Sequence, residues 1–156
     1  MKVSIVAEWE TVLEGKRARG EACLASLRAQ VAELPSCETV VCFDPAEATE
    51  ESVRAAIGSD WPGPLVVAAA PTRLDYYQKK NYGFSLTSGD VVVFVDSDLI
   101  PERDWLREML APLADFRVQV VVGRTHFETR TLYERAMALF WIFDARDTSS
   151  PLRRTR

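Results

Sequence analysis

Two aspartates that follow a strongly apolar run are the residues of this sequence best suited to do chemistry. Asp96 and Asp98 stand two positions apart, directly after residues 91–95, which are all apolar. Carboxylates spaced in this way can face one cation, and Mg²⁺ and Mn²⁺ prefer oxygen ligands of this kind. A metal held by one or two carboxylates commonly takes its remaining ligands from phosphates and water. The alternative is a helix-capping role ahead of Pro101.

Other charged residues stand next to predicted strands. Glu8 follows the first apolar run, Asp44 follows the second, and Lys80 lies in the segment before the fourth. In an open α/β sheet, ligands bind beyond the carboxyl ends of the strands, so these side chains are candidates for one site. A lysine there can approach a diphosphate as a point charge. Glu8 and Lys80 can instead be solvated, Asp44 can cap a helix, and His126, the only histidine, is more typical of a structural role.

Apolar runs alternate with amphipathic segments along the chain. The predicted strands cover residues 3–7, 39–43, 65–70, 91–95 and 118–122. The predicted helices cover residues 15–34, 44–57, 74–86, 101–113 and 132–143. This alternation predicts an α/β fold, a three-layer α/β/α sandwich in which helices cover both faces of a mainly parallel central sheet. The run at 91–95 is apolar on both faces, which indicates a central strand.

The bulk properties fit a single globular domain and exclude several classes of protein. With 156 residues, the chain is long enough to bury one core. The formal net charge of −4 argues against a general nucleic-acid-binding protein. The three cysteines include no C-x-x-C pair, so we expect neither a disulfide framework nor a zinc site. No apolar run approaches the ~20 residues of a membrane span, and the N-terminus has no signal peptide, so we expect a cytoplasmic protein.

Three segments around the two aspartates occur in a distinctive order. They are KNYG at residues 80–83, SGD at 88–90 and VFVDSD at 93–98. Together they resemble family 2 glycosyltransferases of the GT-A fold, a Rossmann-like architecture, in which a basic residue, Asn and Gly precede a small residue, Gly-Asp and D-x-D. Residues 3–6, 38–44 and 121–123 resemble further strands of that family. The resemblance covers most of the chain up to about residue 125.

The resemblance implies a protein that binds a nucleoside diphosphate sugar, with UDP or GDP as the nucleotide, and transfers the sugar to an acceptor. It implies that Asp96 contacts the ribose or the metal and that Asp98 ligates the metal, Mn²⁺ or Mg²⁺. It also implies that Asp44 holds the base and that Lys80 and Asn81 lie near the nucleotide. The metal would stabilise the charge that develops on the diphosphate leaving group.

With Glu8 added for its position after the first strand, the candidate site contains binding residues but no general base. The family places an acidic base well downstream of D-x-D, where it deprotonates the acceptor hydroxyl. None of the carboxylates after Asp98 forms an acidic pair of that kind. Catalysis therefore stays open between a transferase, a nucleotide-binding module without turnover, and a fragment of a longer transferase. A haloacid-dehalogenase-type phosphatase with Asp96 as nucleophile is a further, less favoured alternative, since its motif normally comes early in the chain.

The end of the chain carries two further expectations. We expect residues 1–143 to form the nucleotide-sugar-binding domain, with the acceptor-binding half mostly absent, and residues 144–156 to form a flexible, arginine-rich tail. The last predicted helix has an apolar stripe that includes Leu132, Leu139 and Phe140. This stripe packs on the sheet or contacts a missing acceptor domain or a membrane surface. Anionic lipid would be favoured by the arginines behind it, at the inner face of the membrane.

Overall fold

The computed structural model describes residues 1–9, 14–71, 73–129, 131–140 and 144–146. The chain divides into two compact units, Met1–Glu108 and Met109–Arg156. The residues discussed above as candidate ligands all belong to the first unit.

The first unit is built on a four-stranded sheet whose described pairings are all parallel. Its strands are β1 (Val3–Trp9), β2 (Cys37–Phe43), β3 (Leu65–Ala69) and β4 (Val91–Asp96), in the spatial order β3-β2-β1-β4. The helices that connect them are α1 (Glu14–Ala32), α2 (Glu50–Ile57) and α3 (Tyr76–Ser85), and α4 (Trp105–Leu110) follows β4. Parallel neighbours need crossover connections, and each of these is helical, as the alternation of segments predicts.

Helices lie on both faces of this sheet, which confirms the three-layer prediction. One face carries a buried cluster of strand, α1 and α2 side chains: Trp9, Leu24, Val41, Phe43, Val53, Ile57 and Val67. The opposite face carries Val6, Val40 and Cys42, against which Tyr82 of α3 packs. Neighbouring residues of one strand point to opposite faces, so β2 contributes to both clusters. All seven residues of β1 are buried.

Gly83 lets α3 approach the sheet closely. A Cβ atom at this position would lie 2.5 Å from Cγ1 of Val6 and 3.1 Å from Sγ of Cys42. Gly89, in the turn before β4, is equally confined, because a Cβ there would lie 2.5 Å from Oγ of Ser4. Both glycines of the motif segments therefore serve packing of the chain on itself.

Glu38 fastens the same turn at the amino end of the sheet. Its carboxylate accepts hydrogen bonds from the Ser4 hydroxyl at 2.6 Å and from the Ser88 N–H at 2.6 Å, and it lies 2.7 Å from Nζ of Lys2. Burial raises the pKa of Glu38, but the hydrogen bonds from Lys2 and the two serines lower it by more. The net effect is a pKa of about 2, below the ordinary value of 4.5. The ionised carboxylate thus joins β1, β2 and the turn that leads into β4.

The position of β4 differs from the prediction. The apolar run indicated a central strand, whereas β4 is an end strand of the sheet formed by the described residues, and Phe94 is 45% exposed. The reason is that apolarity reports which faces are covered, while the order of strands depends on crossover geometry that the run itself does not encode. The fully buried strand is its neighbour β1.

The start of α2 also differs from the prediction. Asp44 and Pro45 suggested a helix beginning at residue 44, but α2 begins at Glu50 and is capped by Thr49. The Thr49 hydroxyl accepts a hydrogen bond from the Ser52 N–H at 3.2 Å, and the Ser52 hydroxyl accepts one from the Thr49 N–H at 3.1 Å. This reciprocal capping box satisfies two backbone donors that a start at residue 44 would leave to other partners.

The second unit contains shorter elements. They are a 3₁₀ turn (Ala111–Ala114), β5 (His126–Glu128), α5 (Leu132–Phe140) and β6 (Asp144–Arg146), with β5 and β6 paired in parallel. The strand predicted at 118–122 was wrong: no described strand pairs with this segment, and Val120 and Val122 are 78% and 83% exposed. A β-branched run forms a strand only where a partner accepts its backbone hydrogen bonds.

The boundaries near the chain end shift as well. The helix predicted from residue 101 begins at Trp105, while the prediction that the last helix reaches residue 143 and most of the predicted tail fall on residues outside the described ones. Residues 144–146 form β6, although the tail was expected to begin at 144. Leu132, Leu139 and Phe140 of α5 are exposed. Among the described residues, no helix is long and apolar enough to cross a membrane.

Candidate functional site

The carboxyl ends of β1, β2 and β4 meet at one edge of the first unit. In the strand register, Glu8 is the partner of Asp96 on one side and of Cys42 on the other. Asp44 follows β2 two residues after Cys42, and Asp98 follows β4 two residues after Asp96. The sheet therefore places the predicted acidic residues along the edge at which ligands of open α/β sheets bind.

Asp96 is held by two side chains from the first turns of α3. Both the Lys80 ammonium and the Tyr76 hydroxyl donate hydrogen bonds to Oδ1 of Asp96. Asp75 caps this helix, with its Oδ1 accepting from the Gln78 N–H at 2.8 Å, and so fixes where the first turn begins. Tyr76 and Lys80 are four residues apart and lie on one face of α3, with Nζ of Lys80 4.7 Å from the centre of the Tyr76 ring.

Tyr76 is a site residue that the sequence analysis did not single out. Its only local signal is the spacing of four residues from Lys80 on a helix. Burial raises the pKa of Tyr76, and the hydrogen bond to Asp96 raises it further, so the phenol stays protonated and remains a donor. Burial lowers the pKa of Lys80, but the hydrogen bonds to Asp96 and Tyr76 raise it more, so the ammonium stays charged.

Glu8 lies behind Lys80, away from solvent. The residue is 2% exposed, its Oε2 lies 3.6 Å from Nζ of Lys80, and its Oε1 accepts a long hydrogen bond of 3.4 Å from the Ser97 N–H. Oε2 is buried and accepts no hydrogen bond from any described residue. Burial raises the pKa of Glu8 to about 7, although the nearby Lys80 charge lowers it. The structure thus joins Glu8, Lys80, Tyr76 and Asp96 in one cluster.

Asp98 is exposed in the segment that follows β4. Two side chains of α1 donate hydrogen bonds to backbone carbonyls of this segment. The Ser26 hydroxyl donates to the carbonyl oxygen of Pro101 at 2.5 Å, and Nε2 of Gln30 donates to that of Glu102 at 3.0 Å. Oε1 of the buried Gln30 accepts from the Leu106 N–H at 2.8 Å.

Ser26 and Gln30 hold the segment that follows the D-x-D motif, and the sequence analysis did not identify them. The available signal was two polar side chains four residues apart among the apolar positions of α1. A buried polar side chain on an otherwise apolar helix face needs hydrogen-bond partners. Pro101, Glu102 and Leu106 supply them, so α1 holds the segment that comes after the D-x-D motif.

Asp44 is 4% exposed, and its Oδ1 accepts the Ala46 N–H at 2.8 Å. Its side chain therefore shapes the loop after β2.

Beside this loop lies an open depression of about 450 Å³. It is lined by Trp9, Pro45, Ala46, Glu47, Ala48, Thr49 and Ser52. Asn81 is exposed on α3, next to Lys80 in sequence.

The described acidic residues do not form a complete cation site by themselves. In the part of the chain that the structure describes, no three His, Cys, Asp or Glu side chains converge on one point. Asp96 and Asp98 supply at most two protein ligands, which matches Mg²⁺ or Mn²⁺ bound by one or two carboxylates together with water and substrate phosphates. The donor set does not match a closed structural site made only of protein ligands.

Comparison with known proteins agrees with this architecture. The family model for glycosyl transferase family 2 matches residues 18–155. A search of curated protein sequences finds no match. Among solved structures, S. aureus TarS 1–349 is similar with a TM-score of 0.61 and 18% identity, over 85% of this chain and 38% of that one.

Two further TarS structures are similar. S. aureus TarS has a TM-score of 0.60 and 20% identity over 85% of this chain and 23% of that one. TarS 1–349 in complex with UDP has a TM-score of 0.56 and 18% identity over 85% and 38%. The chain thus spans well under half the length of these structures. Because the family model matches most of its residues and its fold is similar to those structures, the chain belongs to glycosyl transferase family 2 and has the GT-A fold.

Proposed function

We propose that this domain binds a nucleoside diphosphate sugar together with a divalent cation, for transfer of the sugar to an acceptor. The observation that carries the proposal is the cluster of Lys80, Tyr76 and Asp96 at the carboxyl edge of the sheet, two residues before the exposed Asp98. A protonated lysine and a cation held by carboxylates are the groups that a diphosphate needs. Bound there, the cation would act as a Lewis acid on the leaving diphosphate.

The open depression after β1 and β2 is the place we propose for the nucleoside. Its volume of about 450 Å³ falls within the usual range of ligand pockets, roughly 300–1,000 Å³. Thr49 and Ser52 line it and offer hydroxyl groups. Asp44 supports this loop through the Ala46 N–H, so its part in base recognition is to hold the loop shape. UDP is the first nucleotide to test because a structural neighbour was solved with UDP, and GDP is the alternative.

Sugar transfer is the reaction class of the family, and donor binding is the part of it that these residues support. An attacking acceptor hydroxyl needs a general base, and no residue of this chain is assigned that role. Binding without turnover is therefore the second candidate function. The phosphatase alternative is dropped, since the chain belongs to a glycosyltransferase family.

Thermal unfolding with nucleotides tests the proposal. UDP or GDP with Mn²⁺ at one hundred times its Kd should stabilise the protein by about 2.7 kcal/mol, which corresponds to roughly 5–10 °C in Tm for a chain of this size. Asp98→Ala should remove the Mn²⁺-dependent part of the shift. Asp104→Ala is the matched control, because Asp104 is an exposed aspartate in the same segment that pairs with Arg107 at 3.2 Å. No shift with either nucleotide would refute the proposal.

Turnover separates the two candidate functions. Release of UDP from a UDP-sugar, with water or an added acceptor, would establish an enzyme. Binding of the nucleotide without release would favour the binding module. Asp98→Ala should abolish any release, since it removes a carboxylate proposed to hold the cation.

A further inference from the structure

One buried carboxylate oxygen beneath the site has no hydrogen-bond partner among the described residues. Oε2 of Glu8 lies 3.6 Å from Nζ of Lys80, beyond ordinary hydrogen-bond distance. The Lys80 ammonium donates instead to Oδ1 of Asp96, which the Tyr76 hydroxyl also occupies. A buried acceptor left without a donor destabilises a protein, so its presence needs a reason.

The two carboxylates that share the ammonium differ in their access to solvent. The Glu8 side chain is 3% exposed, the Lys80 side chain 14%, and the Asp96 side chain 35%. A cation that arrives from solvent therefore reaches Asp96 and not Glu8. Lys80 therefore lies between Asp96, whose carboxylate a metal ion from solvent can bind, and the buried Glu8, whose carboxylate it cannot reach.

A cation at Asp96 would repel the ammonium that already binds that carboxylate. We propose that Lys80 then moves onto Oε2 of Glu8, so that Glu8 is a positioning residue that acts through Lys80 and frees Asp96 for the metal. The movement is small, because a charged N–H···O contact is about 2.8 Å and Nζ need approach by only about 0.8 Å. The Tyr76 ring beneath Nζ stays in contact over such a distance. This inference rests on the proposed binding of a nucleotide and a divalent cation.

Glu8→Gln tests the role, because glutamine keeps the size and an acceptor oxygen but loses the charge that attracts Lys80. The measurement is calorimetric titration of UDP with Mn²⁺ and with EDTA, in mildly alkaline buffer. The quantity of interest is the gain in UDP affinity that Mn²⁺ produces. Partners of metal ligands typically contribute 10–100-fold to metal affinity, so we expect this gain to fall by about tenfold. Affinity in EDTA should change little.

One variant serves as the control. Glu38→Gln makes the same chemical change at the opposite end of the sheet, where Glu38 also lies beside a lysine, and should keep the wild-type gain. A loss in Glu38→Gln as large as in Glu8→Gln would overturn the specific role of Glu8.

The remaining outcomes are also decisive. A wild-type gain in Glu8→Gln would refute the inference and leave the proposed function intact. No gain in the wild type would refute the proposed metal site, and the inference with it. If Glu8→Gln does not fold, Glu8→Asp withdraws the carboxylate from Lys80 and keeps the charge. We expect a reduced gain there too, and an undiminished one would overturn the inference.

Discussion

Replacement of Gly83 by alanine tests the packing that sets the height of α3 above the sheet. The new Cβ would lie 2.5 Å from Cγ1 of Val6, whereas non-bonded carbons stay about 3.5–4.0 Å apart, so helix and strand must separate by about 1 Å. Val6 is 0% exposed and cannot turn into solvent. Overpacking of a core costs typically about 1–3 kcal/mol, and we take the upper value because the overlap is with a fully buried residue. Alanine returns about 1 kcal/mol in helix propensity, which leaves a net loss of about 2 kcal/mol.

Urea unfolding measures this loss. With an m-value of about 2 kcal/mol/M, the midpoint for Gly83→Ala should fall by about 1 M. Phe84→Ala is the matched control, because Phe84 follows on the same helix with an exposed side chain and should change stability by no more than about 0.5 kcal/mol. UDP affinity should also fall in Gly83→Ala, since Lys80 lies one turn earlier on the displaced helix. A Gly83→Ala protein as stable as the wild type, or more stable, would show that helix propensity outweighs the overlap and would refute the reasoning.

Two further substitutions test hydrogen bonds that join the elements of the first unit. Glu38→Gln should lower the free energy of unfolding by about 2 kcal/mol at neutral pH, because the ionised carboxylate accepts hydrogen bonds from Lys2 and two serines. Since the pKa of Glu38 is about 2 in the folded state against 4.5 ordinarily, this stabilisation is lost as the pH falls between those values, and the variant and wild-type curves should converge there; parallel curves would contradict the assignment. Gln30→Ala leaves the Leu106 N–H and the Glu102 carbonyl without their side-chain partner, so urea unfolding should show a loss of about 1–3 kcal/mol. An unchanged midpoint would mean that water replaces Gln30.

The sequence predicts the layers of the first unit because each layer has its own local signal. The strands β1 and β2 are short apolar runs, and α1 has apolar residues at helical spacing up to Pro35. Carboxyl ends of parallel strands share one edge of a sheet, so Glu8 and Asp96 could be expected to lie near each other before any coordinates. Their register confirms this proximity.

The errors arise where the outcome depends on partners distant in the chain. The local sequence at residues 118–122 does not reveal whether another strand lies beside this segment, and none of the described strands does. In the same way, the apolar run of β4 does not reveal that β4 is the last strand of the described sheet. Asp44 is a suitable N-cap residue by type, but α2 is capped five residues later by the reciprocal hydrogen bonds of Thr49 and Ser52. The hydrogen bond from Tyr76 to Asp96 spans 20 residues, so only the three-dimensional structure shows it.

The motif from residue 80 to residue 98 is specific as a unit because its packing residues and its chemical residues depend on each other. Gly83 and Gly89 have no side chain, so α3 and the turn before β4 can each pack closely against β1. Lys80 reaches Asp96 only if both elements keep those heights, since the ammonium must span from the helix to the strand end. A chain with lysine and D-x-D but without the two glycines should therefore bind nucleotide less well than one in which they are present, although both glycines pack against the chain itself. The spacing of the motif therefore reflects the distance between α3 and β4 that the glycines allow, as well as the charged groups that these two elements carry.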